Sequence, residues 1–446
     1  MALTGLDIYK LLPKTNCKKC GRPTCLAFAM QLAQKKANLS DCPDASEEAK
    51  KILGAAAAPP IKLVTVGTGA KKVEVGEENV LFRHEEKFYH PTGIAVTISD
   101  DLTDTAFNDR LKKINNLKVS RVGTEIDIDL IAVINKSNDA GKFAEASKKV
   151  SSSTHLNIIL SSTSVENMKV ALANCADKRP LIHGANAQNC EFMAALAKEK
   201  NCPMTVTAPT LEELADLTER VKKAGVEEIV LDVSGNNPKE MLQKLTKVRR
   251  AALKKNFRSL GFPMISFVCD EDPFQEISLA STYVLKYAGV IVVNVCEPWA
   301  IMPMLTTRAN IFTDPQKPIQ VEPRLYAVGD VKEDSPVLFT TNFSLTYYTV
   351  EGEVESSRIA AYILSVDTGG TSVLTAYSGD KLNDKVVAKA MTDAKVETKV
   401  KHKKLIIPGL VAVMSGKLQE TLGWEILVGP REASGIPSYL KTVWKA

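Results

Sequence analysis

The chain has 446 residues, 45% hydrophobic and 24% charged, and its net charge of +5 is spread along it rather than gathered in a basic block. At about 150 residues per domain this length excludes a single domain, and the composition is that of an ordinary soluble protein. Nothing in the charge distribution asks for a nucleic acid.

The N-terminus, MALTGLDIYKLLPK, has no charged region followed by an apolar one, and apolar runs such as Gly289–Cys296 fall far short of the ~20 residues of a membrane span. A cytoplasmic protein without a membrane segment is therefore expected. Its thiols stay reduced there, and clustered cysteines then bind metal or do redox chemistry more often than they form disulfides.

Cys17, Cys20, Cys25 and Cys42 have the spacing C-x2-C-x4-C-x16-C. Zinc sites usually pair two short knuckles across a long gap; here three ligands come from one tight loop and the fourth from beyond a helix. That pattern favours a 4Fe-4S cluster, with Pro43 after the last cysteine as in ferredoxin runs, over zinc or a disulfide. Gly21 and Pro23 supply turn chemistry, and Leu26, Ala29, Met30 and Ala33 recur at helical spacing on the side expected to cover the cluster. Cys175, Cys190, Cys202, Cys269 and Cys296 are scattered singly and read as small buried hydrophobes.

GAAAAPP, Gly54–Pro60, reads as a linker, which closes a cluster domain at residues 1–57. Within 58–92, IKLVTVGTGAKK lacks the third glycine of a dinucleotide fingerprint and predicts a hairpin, VTVG against KKVEVG. Arg83, His84 and His90 are expected to be solvated or capping residues.

From Gly93 to Asp314 short β-branched runs alternate with amphipathic helices. The strand candidates start near residues 93, 128, 156, 180, 203, 228, 263 and 290, and NMKVALANCADK, NCEFMAALAKEKN, LEELADLTERVKKAG and PKEMLQKLTKVRRAALKKN are helical between them. Eight such units predict a TIM barrel over 93–314. Asp100, Asn135, Ser161, His183, Asp232, Asp270 and Glu297 fall at strand C-termini, without a metal, phosphate-loop or nucleophile-elbow motif. They are read as the wet polar residues any barrel shows there, and no catalytic residue is assigned.

After the Pro-rich stretch Asp314–Pro323, residues 324–446 predict a small flavodoxin-like α/β domain with a mostly parallel sheet. Its loops Thr340–Tyr348, Ser365–Tyr377 and Gly429–Ser438 are rich in glycine and hydroxyl residues. Ligands of open α/β sheets sit beyond the strand carboxyl ends, where Gly369 and Gly370 are expected to offer bare N–H groups. Three such loops on one edge suit a broad cofactor with many polar arms.

LTGLDIYKLLPKTNCKKCGRPTCLAFAM, LFRHEEKFYHPTGIAV, NFSLTYYTVEGEVES, LSVDTGGTSVLTAY and GWEILVGPREASGIP are long stretches in which the chain closely resembles the large (gamma) subunits of the corrinoid iron-sulfur proteins of the reductive acetyl-CoA pathway. The resemblance covers essentially the whole chain and implies an α/β protein in three parts: a 4Fe-4S domain, a TIM barrel and a corrinoid-binding domain. It implies a methyl-carrier component whose chemistry resides on the corrinoid: cobalt takes the methyl of methyltetrahydrofolate from a separate methyltransferase as methyl-Co(III) and delivers it to acetyl-CoA synthase. The cluster on Cys17, Cys20, Cys25 and Cys42 would reduce inert Co(II) to Co(I), drawing electrons from CO dehydrogenase or a ferredoxin, and a smaller barrel subunit would complete a heterodimer. Corrinoid contacts are expected at Thr340, Thr346, Gly370, Thr371, Ser372, Val373, Leu374, Thr375, Ala433, Ser434 and Gly435. The last domain has only His402 and no D-x-H-x-x-G loop, so a base-off cobamide without a protein histidine ligand is expected. An electron-transfer or interaction subunit that uses the cluster alone is the alternative; a barrel acting itself on a pterin lacks a recognisable constellation.

Overall fold

Buried parallel strands must satisfy their backbone groups through their neighbours, and the β-branched runs after Gly93 do so by closing on themselves. In the computed structural model, β3 (Gly93–Ser99), β6 (Leu130–Ile134), β7 (Asn157–Ser161), β8 (Leu181–Ala185), β9 (Met204–Thr207), β10 (Ile229–Asp232), β11 (Met264–Phe267) and β12 (Val290–Val293) form a closed barrel in that order, all pairs parallel. The structure describes every residue except 1–4, 34–36, 38, 47–48, 50–58, 122–123, 236, 315–317 and 446. The expected linker at 54–60 therefore lies, up to residue 58, outside the described residues, as does part of the Pro-rich stretch after Asp314.

Strand alternation sorts the side chains into two layers. Ala95, Leu130, Ile159, Leu181, Val230, Ile265, Val290 and Val292 fill the barrel interior, while Ile94, Ile131, Ile158, Ile182, Leu231 and Ile291 pack outward against the helices. The expected hairpin forms as β1 (Val64–Val66) and β2 (Val73–Val75), paired antiparallel. All four of its valines belong to the interior cluster, so the hairpin plugs the N-terminal end of the barrel. A second hairpin, β4 (Lys118–Arg121) with β5 (Thr124–Asp127), interrupts the alternation before β6, and the sequence reading did not contain it.

Charged groups beneath the barrel are paired. Arg308, on the last barrel helix Pro298–Ile311, bonds the Asp129 carboxylate and the carbonyls of Thr92 and Asp127. Arg249 reaches Glu78 at 3.3 Å and its guanidinium lies over the rings of Phe88 and Tyr287. Arg83 donates to the carbonyls of Ile311 and Asn310, which makes it a cap on that last helix.

The chain divides into two compact units, Met1–Phe312 and Thr313–Ala446. In the second, β13 (Leu325–Val328), β14 (Val337–Thr341), β15 (Ala361–Val366), β16 (Lys404–Ile407) and β17 (Glu425–Val428) form a sheet in the order β13-β15-β14-β16-β17. The last four are parallel in a 2-1-3-4 arrangement, as in flavodoxin-like sheets, and the edge strand β13 runs antiparallel. The segment Thr340–Tyr348, read from sequence as one loop, is corrected: a helix starts at Ser344 and runs to Ser357. Phe343 at its N-cap offers no side-chain cap, and its Thr, Tyr and Val residues are weak helix formers. The helix forms because Tyr347 and Val354 bury against the sheet, at 1% and 0% exposure.

Among the single cysteines, Cys175, Cys190, Cys202 and Cys296 are buried in the outer barrel layer as expected, whereas Cys269 is exposed. Burial pushes the Cys175 thiol from 9.0 up to about 12 and the Cys202 thiol up to about 11. The folded chain thus keeps protons that the unfolded chain releases above pH 9. The stability these thiols contribute is complete below that pH and is lost as pH rises through the window to about 12. Urea denaturation at pH 8 and pH 10 is expected to show an alkaline loss smaller by about 1.4 kcal/mol in Cys175→Ala than in the wild type.

Candidate functional site

Two sets of residues, one in each unit, have the chemistry to hold a cofactor. In the first unit, helix Gly5–Leu11 and helix Cys25–Ala33 flank a tight loop in which Lys14, Asn16, Lys18 and Gly21 all take left-handed backbone conformations. The loop is held by its own bonds. Asn16 Oδ1 accepts from the Cys25 amide at 2.8 Å, Thr24 Oγ1 accepts from Ala27, and the Gly21 amide donates to the Lys18 carbonyl.

All nine cysteines are free. Cys20, Cys25 and Cys42 pack in one small core with Ile8, Leu12, Phe28 and Ala29, and Cys17 is exposed at its edge. The expected cover is corrected in part: Ala29 is buried as expected, but Leu26 and Met30 point outward at 41% and 48% exposure, and the helix buries Cys25 and Phe28 beside Ala29. Burial, and then the neighbouring Cys20, Cys17 and Cys25, raise the Cys42 thiol above its ordinary range, against the Asp44 amide that donates to it. Four thiolates in one patch repel one another, so ionising them together requires a cationic centre. Among the described residues no three His, Cys, Asp or Glu side chains gather around a single-ion site. Three thiols in one small core and a fourth at its edge are donors of the kind an iron-sulfur cluster takes. Lys19 sits beside it, paired with Asp44 at 3.1 Å.

In the second unit a cavity of about 260 Å³ opens at the strand carboxyl ends. It lies where β14 and β16 meet, the point at which strand order reverses and where open α/β sheets bind ligands. Leu338, Thr340, Thr346, Val350, Ile407 and Ala433 are among its lining residues. Thr340, which lines it, and its cross-strand neighbour Ser365, which does not, are each 1% exposed. Neither hydroxyl has a hydrogen-bond partner among the described residues. Buried hydroxyls are rarely left unpaired, so an apolar cavity with the orphaned Thr340 hydroxyl in its lining fits an occupant with apolar faces and a hydrogen-bonding atom.

Of the contacts expected from sequence, Thr340, Thr346, Val373 and Ala433 line this cavity. Gly370, Thr371 and Ser372 lie on the loop before the helix Val373–Ser378, Leu374 and Thr375 in that helix, and Ser434 and Gly435 in the short 3-10 turn Ala433–Gly435; none of them is part of the lining. Two details differ from expectation. The Gly369 amide donates to Asp367 Oδ1 and the Gly370 amide to Asn342 Oδ1, each at 3.0 Å, so neither is a bare donor. The loop is instead organised by Asn342, which the sequence reading passed over. Fully buried, its Oδ1 also accepts from the amide and hydroxyl of Thr368, and its Nδ2 donates to Gln320 and Asp367. Gly370, at φ 72°, has no room for a Cβ, which would fall 2.6 Å from Gln320 Cγ. Pro408 and Pro430 also line the cavity; their position just past a strand end was the available signal.

His402 stands at the start of β16, the opposite end of the sheet. Its Nε2 bonds the Ser335 carbonyl at 2.8 Å and its Nδ1 the Lys404 amide.

At the barrel's C-terminal end the polar residues are more organised than the sequence reading allowed. Asp100 accepts from Asn135 and twice from Ser137, and Asn135 accepts from Ser162 and Asn167. Ser161, His183 and Asp232 form a separate chain of hydrogen bonds.

In comparisons with known proteins, residues 63–440 match the family described as CO dehydrogenase/acetyl-CoA synthase delta subunit, and residues 12–43 the family described as "Putative Fe-S cluster". The chain is 46% identical over 441 residues to the corrinoid/iron-sulfur protein large subunit of Moorella thermoacetica, covering 99% of each. It is 39% identical over 453 residues to the acetyl-CoA decarbonylase/synthase complex subunit gamma of Methanothermobacter thermautotrophicus, again covering 99% of each. A solved 7,8-dihydropteroate synthase from Vibrio fischeri aligns with a TM-score of 0.39 at 13% identity, over 49% of this chain and 93% of its own.

Asn342→Ala would leave the Thr368 and Gly370 amides buried without an acceptor. At roughly 1–3 kcal/mol for each unsatisfied group, the variant is expected to lose about 2–6 kcal/mol of stability. Hydrogen exchange at Thr368 and Gly370, followed with urea denaturation, checks both the magnitude and its location.

Proposed function

The chain belongs to the family of corrinoid/iron-sulfur protein large subunits, the gamma subunits of acetyl-CoA decarbonylase/synthase complexes, and from that premise we propose that it is a methyl-group carrier of the acetyl-CoA pathway. It would accept the methyl of methyltetrahydrofolate from a separate methyltransferase and pass it to acetyl-CoA synthase. When bound, the corrinoid supplies a cobalt centre that takes and gives the methyl group, and a 4Fe-4S cluster supplies the low-potential electron that reactivates it.

Cys17, Cys20, Cys25 and Cys42 would hold the cluster within a domain at 1–57. Lys19 beside them would offset part of the negative charge of four thiolates. The corrinoid would sit at the carboxyl edge of the sheet in 324–446. The cavity carries this reading, with the unpaired Thr340 hydroxyl as a donor in its lining. Thr346, Val373 and Ala433 would line it, and the loops Gly370–Thr375 and Ser434–Gly435 would flank the corrin periphery. A base-off cobamide without a histidine ligand accords with His402, whose two ring nitrogens are engaged at the far end of the sheet. Exposed Leu345 and Leu374, at 69% and 49%, offer apolar surface beside the cavity to a large planar ring.

The proposed partners are a smaller barrel subunit in a heterodimer, the methyltransferase, CO dehydrogenase/acetyl-CoA synthase and a ferredoxin-type donor, all in the cytoplasm. No helix among the described residues is long and apolar enough to cross a membrane.

Anaerobic ultraviolet-visible and EPR spectra of the purified chain, before and after a low-potential reductant, test the reading. A base-off Co(II) signal without nitrogen superhyperfine splitting, beside a 4Fe-4S absorbance, is the expected result; a cluster without corrinoid, even after reconstitution, would reduce the protein to an electron carrier. Cys20→Ala is expected to spare methyl transfer by pre-reduced protein while abolishing reactivation of oxidised cobalt. Equal loss of both activities would refute that division of labour.

A further inference from the structure

The barrel mouth contains an arrangement that methyl carriage does not use. His183 Nδ1 lies 2.8 Å from Ser161 Oγ, and its Nε2 lies 3.0 Å from Asp232 Oδ2. A carboxylate only accepts, so Nε2 carries the hydrogen in that bond. In the neutral ring Nδ1 is then an acceptor, and Ser161 donates its hydroxyl hydrogen to it. Burial favours protonation of Asp232, but the bonds from His183 and Ser234 outweigh it and hold the carboxyl below its ordinary range. The result is a hydroxyl, a base and a buried carboxylate in series, the relation that activates a serine.

Local backbone geometry aims the histidine into place. Between Ile182 and Ala185 the register of β8 against β9 slips, with three steps on β8 facing two on β9 from Met204 to Val206. The bulge is available only because residue 184 is glycine: its φ is 116°, and a Cβ there would lie 2.3 Å from the Ser162 carbonyl oxygen. Bulges re-aim side chains, and this one turns His183 between Ser161 and Asp232, with the Phe267 ring against it at 4.4 Å. Stability alone does not require such a device. The layers below are aliphatic, and a buried polar group paired with a carboxylate is commonly no more stable than apolar residues of its size. Ser161 and His183 keep partial exposure at the mouth, while Asp232 is 6% exposed behind them.

We propose that Ser161, His183 and Asp232 form a second, acyl-transfer site in the barrel mouth, in which Ser161 attacks small activated acyl esters. Ser161 Oγ bonds to the acyl carbon and gives its proton to His183 Nδ1. The ester bond breaks, and the leaving oxygen takes that proton. Water then repeats the sequence on the acyl-serine and releases the acid. Ser161 and His183 touch the reacting atoms; Asp232 is a positioning residue that fixes the ring tautomer. The site is independent of the corrinoid and of the cluster.

The full-length protein, treated with a small alkyl fluorophosphonate, tests this directly. The Ser161 Oγ–P bond forms, fluoride leaves, and peptide mass spectrometry locates the adduct. Ser161 is expected to be modified at least 100-fold faster than surface serines such as Ser152 and Ser356, and p-nitrophenyl acetate should give a burst of p-nitrophenolate stoichiometric with the chain. Asp232→Asn, whose amide donates to Nε2 and forces the opposite tautomer, should slow labelling about 100-fold or more at unchanged circular dichroism, with partial recovery in Asp232→Glu. Wild-type protein in which Ser161 reacts no faster than Ser152 would overturn the proposal, as would labelling indifferent to Asp232→Asn in a folded variant.

Discussion

Parallel strand pairing dictates where chemistry can occur in this chain. A parallel neighbour is reached only by a crossover, so every strand carboxyl end arrives at the same edge and every loop there is free of strand-to-strand duty. The barrel strands and the four parallel strands of the small sheet obey this. The barrel collects Ser161, His183, Asp232, Asp100 and Asn135 at one end, and the small sheet collects Thr340, Asn342, Ser365 and Pro408 at one edge. The opposite edges carry structural bonds: Arg308 with Asp129 under the barrel, and His402 with Ser335 in the small sheet.

The two edges handle polar groups differently. At the barrel mouth the hydroxyl, imidazole and carboxylate complete one another, so the chain of bonds is closed without a ligand. In the small sheet the hydroxyls of Thr340 and Ser365 are left over while Asn342 uses all its capacity holding the adjacent loop. A preformed loop beside an unspent donor suits a tightly held prosthetic group, because ordering has already been accomplished before binding. Self-completed polar groups suit a site that turns over and must return to its starting state.

Much of the architecture could be read from the residues. Eight β-branched runs separated by amphipathic helices carry the pattern of a parallel barrel, and the C-x2-C-x4-C loop with Cys42 marks a candidate donor set through its spacing. The misreadings share a cause: they depend on contacts distant in sequence. Leu26 and Met30 have helical spacing, but the side of the helix that is covered is set by Ile8 and Leu12. The helix from Ser344 has weak propensity and no cap, and it exists through the burial of Tyr347 and Val354. A register slip at Gly184 leaves no periodic trace, and Asn342 resembles any other asparagine until the loop it holds is folded around it.

The valine hairpin that stoppers the barrel has a consequence for traffic. With Val64, Val66, Val73 and Val75 packed into the interior, the barrel is a cup and not a conduit. Whatever enters at the rim must leave by the rim, so arrival and departure compete for one doorway, and a macromolecule resting on that rim would act as its lid.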